Sequence, residues 1–332
     1  MRPMRGRITV AWLPWFAMES TRAAARTDIA TDTTPRRDPE HTAYLLLVVT
    51  TLFWAFNFIA AKWVKDDIGP FALAFWRWAT ALLLFAPFAW RSVVTEWPAI
   101  RRHWKSLLVM GAFSSGANSA FAYLSVQHTS IVNISLLNSM TPVFILLVAV
   151  LMVGEKLTAL RALGAAVSTA GALVIAARAE WSTLASLTLN RGDFYMLSSC
   201  FVWAIYTSML KRDRSGLSPT ALLAAMMAGG VCVLALMYSY ESAFTVYGTR
   251  GVTPSWKLVA TILYVGLFAS LLSNRFWMKA VTLIGPARAG FFTHLLPLFG
   301  VLLAIALLGE PFHAYHLAGA VLIFGGIILV NR

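Results

Sequence analysis

The segment Thr141–Thr158, TPVFILLVAVLMVGEKLT, sets a proline and a glutamate at the two ends of an apolar run, and Leu296–His313, LPLFGVLLAIALLGEPFH, does so again 155 residues later. At that offset Pro142 meets Pro297, Phe144 meets Phe299, Gly154 and Glu155 meet Gly309 and Glu310, Gly164 and Ala165 meet Gly319 and Ala320, and Gly171 meets Gly326. Ten of the thirty positions from 142 to 171 match without a gap. Chance inflates Leu and Ala matches in an apolar chain, so the aligned Pro, Gly and Glu carry the weight. The same offset continues upstream through Gly111 with Gly266, Phe113 with Phe268, Ser115 with Ser270 and Phe121 with Phe276. Nearer the N-terminus it becomes 149, where Trp54 meets Trp203, Lys62 meets Lys211 and Pro70 meets Pro219.

The repeat lies in a chain of 332 residues that is 59% hydrophobic and 12% charged, against roughly 45–50% apolar in soluble domains. Ten apolar stretches approach the roughly 20 residues a spanning helix needs: about 42–64, 70–90, 105–126, 130–153, 158–177, 193–210, 219–240, 256–278, 287–308 and 313–330. They are continuous and Leu/Ala-rich instead of alternating, which predicts an all-α integral membrane protein with ten transmembrane helices and argues against a barrel.

The net charge of +13 invites a nucleic-acid reading, but its distribution points to a bilayer. Counted by alternate connections, nineteen Lys and Arg fall on the side of the N-terminal tail, six on the other, and Arg77 and Arg275 within the membrane. The positive-inside rule then puts both termini in the cytoplasm, in the inner or plasma membrane. MRPMRGR followed by ITVAWLPWFAM loosely mimics a secretory signal. Its cleavage would oppose the charge bias, so residues 1–41 are expected to be a disordered basic tail, with Met18 a possible initiator. Cys200 and Cys232 both fall inside spans and predict packing, not a disulfide.

Each repeat, 42–178 and 192–331, carries five spans. Five is odd, so the second half enters the membrane upside down, the inverted arrangement that in secondary transporters frames a midplane site. A Trp-containing first span, the Arg of FALAFWRWA in the second, and proline, Gly-Glu and two glycines across the last two spans of each half resemble the drug/metabolite transporter superfamily, in its ten-helix EamA-type branch. The resemblance covers about 42–331. It implies a carrier of small metabolites, often amino acids moved outward, with helices one, three and four of each half around a central cavity and helices five and ten peripheral.

Pro142 and Pro297 are expected mid-helix, where a proline frees carbonyls and bends the helix, serving either as packing kinks or as hinges at a cavity. Just before them lie Asn133, Asn138 and Thr141, and Thr293 with His294. His294 falls near mid-membrane, read either as a hydrogen-bonded core residue or as a path-lining or proton-carrying group. Trp54 and Asn57, with their counterparts Trp203 and Tyr206, sit too deep for an interfacial belt and suit substrate stacking or core packing alike. Small residues at four-residue spacing in spans three and eight predict close helix contact, leaving Asn118, Tyr123, Ser270, Asn274 and Trp277 as cavity candidates. Arg77 is expected to reach water, carbonyls or the flanking Trp76 and Trp78, as an anchor in preference to a substrate clamp. Arg275 is expected to snorkel. Glu155 and Glu310 are expected to cap helix N-termini at opposite faces.

No carboxylate is expected within the membrane, which disfavours antiport of cationic drugs and favours zwitterionic, anionic or neutral substrates. His313 and His316 lack further ligands for a metal site, no phosphate-binding loop is present, and no acids, His and Cys converge as catalysis would require. The expected function is therefore export of small metabolites such as amino acids by alternating access, without catalytic residues, metal or cofactor. The expected partners are a small-molecule substrate and the lipid bilayer, with monomer or homodimer left open. A sugar-phosphate or nucleotide-sugar carrier is the alternative within the superfamily, and a non-transporting scaffold or membrane enzyme the alternative outside it.

Overall fold

A computed structural model describes residues 39–177, 190–308 and 311–331. The basic tail and Glu310 lie outside the described residues. The chain runs through α1 (Pro39–Trp63), α2 (Pro70–Thr95), α3 (Trp97–His128), α4 (Ile131–Asn138 and Thr141–Val153), α5 (Ala159–Ala176), α6 (Arg191–Arg212), α7 (Pro219–Phe244), α8 (Trp256–Ile284), α9 (Pro286–Gly290, Phe291–His294 and Leu295–Leu308) and α10 (Ala314–Asn331). No strand occurs among the described residues. Eight of these helices are long and apolar enough to cross a bilayer, and α10 carries a shorter apolar run, Ala314–Val330. The remaining helix, α6, has 22 residues and turns polar side chains inward, including Ser199, Thr207 and Ser208. Large apolar side chains face outward: Leu83, Leu151 and Leu236 are 71%, 84% and 74% exposed. Lipid, not water, is the solvent that tolerates such a surface while the backbone bonds within its own helices.

The two repeats meet as interchangeable partners. α5 and α10 cross through glycines: a Cβ at Gly164 would stand 2.8 Å from the Gly326 carbonyl oxygen, and one at Gly171 would stand 2.7 Å from that of Gly319. Gly164 pairs with Gly326 and Gly171 with Gly319, so the two helices run antiparallel. The same exchange recurs deeper. Gly111 of α3 packs against the Met226 backbone of α7, and its counterpart Gly266 of α8 packs against the Arg77 carbonyl of α2, 3.1 Å from a built Cβ. Arg77 and Met226 are themselves counterparts at the offset of 149. Small residues permit this approach where apolar driving force between helices is weak.

α2 and α7 tie each other's ends. Gly69 precedes α2 and offers no capping side chain, so the N–H groups of Phe71 and Ala72 donate to the Glu241 carboxylate at 2.8 and 2.9 Å. Glu241, from the last turn of α7, is buried there, an anion on the positive end of a helix. At the other end Glu96 accepts the Ser218 N–H at 2.7 Å, and the Ser218 hydroxyl caps α7 at Ala221.

Each proline follows an irregular turn within its span. α4 breaks at Ser139 and Met140, and Pro142 stands in the first turn of the new segment, where its missing N–H has no intrahelical partner to lose. In α9 a 3₁₀ turn, Phe291–His294, precedes the α-helical segment that contains Pro297. The role of Glu155 differs from expectation. Thr158 caps α5, accepting from the Arg161 N–H at 3.3 Å. The Gly-Glu pair instead ends α4: Gly154 takes a left-handed φ of 75°, suited to glycine, and the Glu155 N–H returns to the Ala149 carbonyl at 3.4 Å. The Glu155 carboxylate meets the Arg161 guanidinium at 3.4 Å.

Candidate functional site

α3 and α8 each contain a wide π-helical stretch at matching repeat positions, Ala112–Ala117 and Val265–Leu272. Such turns redirect carbonyls and are frequent at functional sites. In α8 the Ser270 hydroxyl donates to the Val265 carbonyl at 2.7 Å, and the Ala269 carbonyl accepts from both Trp54 Nε1 and Arg77 Nη2 at 3.1 Å. Both arriving side chains come from the first repeat. A polar cluster is thereby built across the boundary between halves.

Arg77 is its hub. The side chain is buried, with Nε donating to Ser270 Oγ at 2.7 Å and Nη1 to Tyr123 Oη at 2.8 Å and Asn57 Oδ1 at 3.4 Å. Its Cζ lies 5.5 Å from the Trp78 ring and 5.4 Å from the Tyr123 ring. The expected carbonyl and aromatic contacts are present through Trp78 alone of the two flanking tryptophans, since Trp76 is exposed. Of the five guanidinium N–H groups, four are placed on neutral acceptors. No carboxylate pairs with Arg77 among the described residues.

A cavity of about 80 Å³ opens beside this cluster, lined from α1, α2, α3, α4, α6, α8 and α9. Eight of the sequence candidates line it: Trp54, Asn57, Asn118, Asn138, Thr141, Trp203, Asn274 and Thr293. Arg77 joins them. The aromatic wall is a cluster in which Trp54 and Trp203, counterparts in the two repeats, meet edge to face at 5.2 Å, and Trp277 tilts against both at 5.3 and 5.4 Å.

The other candidates stand behind that wall. Tyr123 and Ser270 hold Arg77, Trp277 and Tyr206 back Trp203, and none of the four lines the cavity. Asn133 lies near the start of α4, where Nδ2 donates to the buried Asp193 at 3.3 Å. Asp193 also accepts from Thr129 Oγ1 at 2.7 Å and the Asn190 N–H at 2.9 Å, so the one acid of this corner completes a capping box. His294 is fully buried and absent from the cavity lining; its Nε2 donates to the Ser139 carbonyl at 3.0 Å, at the α4 break. Ser139 is the repeat counterpart of His294, so this bond too crosses between halves. Arg275 lies half-buried, with Nη1 3.4 Å from Thr220 Oγ1.

Sequence reading missed Ser119, Ser199 and Cys200 of the lining. Ser199 exchanges hydrogen bonds with Asn118, and Ser119 accepts from Trp78 Nε1 at 2.8 Å. Serines in membrane helices usually bond their own preceding turn, so only the facing helix reveals these. Cys200, expected to be a packing residue, is buried and also borders the cavity.

The network also fixes which polar atoms of these lining residues are left without a partner among the described residues. Asn118 and Asn274 spend their Nδ2 groups on the carbonyls of Ser199 and Ser270, at 3.1 and 2.9 Å. Their Oδ1 atoms have no partner among the described residues. Asn57 spends Oδ1 on Tyr123 and Arg77, which leaves Nδ2 and one Arg77 Nη2 N–H as donors. Donors and acceptors therefore line one small cavity together.

The comparisons with known proteins agree with this architecture. The EamA-like transporter family model matches residues 41–177 and 190–332, one copy on each half. The chain belongs to the EamA-like transporter family. Among its relatives is an "Uncharacterized transporter" of Archaeoglobus fulgidus, 28% identical over 87% of this chain and 96% of that protein. A "Probable terminal-alkyne amino-acid exporter" of Streptantibioticus cattleyicolor is 28% identical over 86% of this chain and 92% of its own. "Protein WALLS ARE THIN 1" of Arabidopsis thaliana is 25% identical over 88% and 83%. A solved crystal structure superposes with a TM-score of 0.70 at 16% identity, covering 87% of this chain and 96% of that one, which shows the shared fold. This EamA-family chain is thus a multi-pass membrane transporter.

Proposed function

We propose that this transporter exports small amino acids or close zwitterionic relatives across the plasma membrane, by rocking two inverted five-helix halves around the central cavity. In this reading all ten helices span and both termini lie in the cytoplasm, on the side holding nineteen of the Lys and Arg. The observation that carries it is the mixed set of uncommitted groups in one cavity: the Arg77 and Asn57 N–H groups suit a carboxylate, and the Asn118 and Asn274 carbonyls suit an ammonium. The tryptophans beside them suit an apolar side chain. A cavity of about 80 Å³ has room for several waters at about 10–15 Å³ each, in keeping with a small substrate. Arg77 is the single cationic side chain in the described lining, whereas a phosphate carrier would be expected to present several.

The test is efflux from reconstituted vesicles preloaded with a mixed pool of labelled amino acids. Protein-dependent loss of one or a few, competed by the unlabelled compound, is the expected result. Efflux of none of them, with sugar phosphates moving instead, would overturn the assignment.

A further inference from the structure

Outside the central cavity, α2, α3 and α7 enclose a second space of about 540 Å³ with almost purely apolar walls. Its floor is Ala224, Ala225, Ala228 and Gly229 of α7, and its sides are Leu82, Ala86 and Val93 of α2 and Ile100 and Leu107 of α3. The small residues of α7 make the groove: a larger floor would fill it. At its closed end α3 and α7 draw together, with a Cβ built on Gly229 only 3.2 Å from Leu108 Cα.

The open end is chemically different. Trp90, Trp97 and Trp104 line it and are 68%, 51% and 54% exposed, the placement of rings that seek a headgroup region. Arg91, Arg101, Arg102 and Lys105 are exposed around the same α2–α3 turn. Arg101 and Lys105 stand one helical turn apart, on the face next to Trp97 and Trp104, and Lys105 Nζ lies 5.8 Å from the Trp104 ring. Glu96 is the one carboxylate of that turn, and it is engaged with the Ser218 N–H. From Leu82 to Val93 the groove follows eleven residues of helix, about 16 Å at 1.5 Å per residue, close to the roughly 15 Å of one leaflet's hydrocarbon.

We propose that this groove is a binding site for one anionic phospholipid, its acyl chain on the small-residue floor of α7 and its phosphate at Arg101 and Lys105. Length selects a lipid chain from a single leaflet, the tryptophans mark the headgroup depth, and four cations against one engaged acid select an anionic headgroup over a zwitterionic one. The site does not depend on what the transporter carries.

Purified full-length protein equilibrated with phosphatidylglycerol or phosphatidylcholine, then washed and examined by native mass spectrometry, tests it. Wild type is expected to retain about one phosphatidylglycerol and to prefer it at least fivefold over phosphatidylcholine. The pair Arg101→Gln and Lys105→Gln, both at exposed positions, should erase that preference while residual lipid of either kind still binds. Ala228→Phe, which fills the groove from an exposed position, should remove the retained lipid altogether, and Leu83→Trp provides a second block with unchanged helicity as the folding control. Equal retention of both lipids by wild type, or retention unaffected by either block, would overturn the site. So would a dimer that Ala228→Phe disperses, which would make a second copy the occupant.

Discussion

The two repeats build the same skeleton and arm it differently. Position 77 of the first repeat is an arginine that reaches into the second repeat and borders the cavity, whereas its counterpart Met226 is buried apolar packing under Gly111. The ends of α2 and α7 diverge as well: α2 depends on the buried Glu241 from the other half, while α7 brings its own Ser218 cap and uses Glu96 only to steady it. Duplication thus supplies a pair of interchangeable scaffolds, and chemistry enters where one copy departs from the other.

The sharpest break of that asymmetry is Arg77→Met, which makes the halves alike. One charge-assisted bond to a substrate carboxylate is worth roughly 1.5–3 kcal/mol, so vesicle efflux assays should show apparent affinity falling roughly tenfold to a hundredfold. Unchanged affinity in folded protein would make Arg77 an anchor only. Glu241→Ala should come next, leaving two N-terminal N–H groups of α2 without partners at a cost of about 2–3 kcal/mol, read as a lower midpoint of thermal unfolding in detergent. Glu96→Ala, whose helix keeps the Ser218 cap, should cost under about 1 kcal/mol.

A third comparison uses α5 and α10. Gly171→Ala drives a methyl toward the Gly319 carbonyl and should destabilise by about 1–3 kcal/mol, while Gly325→Ala, with nothing near its added methyl, should be neutral or slightly stabilising. Equal effects would mean that the glycine seam does not hold the halves together. The smallest effect on transport itself is expected of His294→Gln. It weakens the bond to the Ser139 carbonyl by about 0.5–1.5 kcal/mol and should leave the pH profile of transport as in wild type, since the imidazole lies behind the cavity lining. A flattened pH profile would return His294 to the mechanism.

Helix positions were legible in the sequence because a bilayer demands long continuous apolar runs, and the repeat was legible because Pro, Gly and Glu are rare enough in such runs to align without ambiguity. Even the family could be read from their order. The roles of individual prolines and acids were not. Pro142 was read as a kink because sequence shows a proline inside one apolar run, yet the break at Ser139 and Met140 turns it into a helix starter. Glu155 precedes a helix in sequence, but Thr158 reaches that helix's N–H groups first.

Among the cavity candidates, Asn118, Asn138, Asn274 and Thr293 and the paired tryptophans line the cavity, while His294 and Tyr206 are buried away from it. Depth follows from counting residues along a helix, which sequence permits. Which way a side chain faces at that depth depends on helix rotation, and rotation is set by contacts from the other half of the chain, such as Gly111 on Met226 and Arg77 on Ala269. The sequence by itself therefore determined the membrane, the apolar helices and the duplication, all consequences of local apolarity and residue spacing. Only the tertiary structure decided which polar atoms were already satisfied and which were left for a ligand, because partners on different helices, such as Arg77 with Ser270 and Asn118 with Ser199, are invisible until the helices pack.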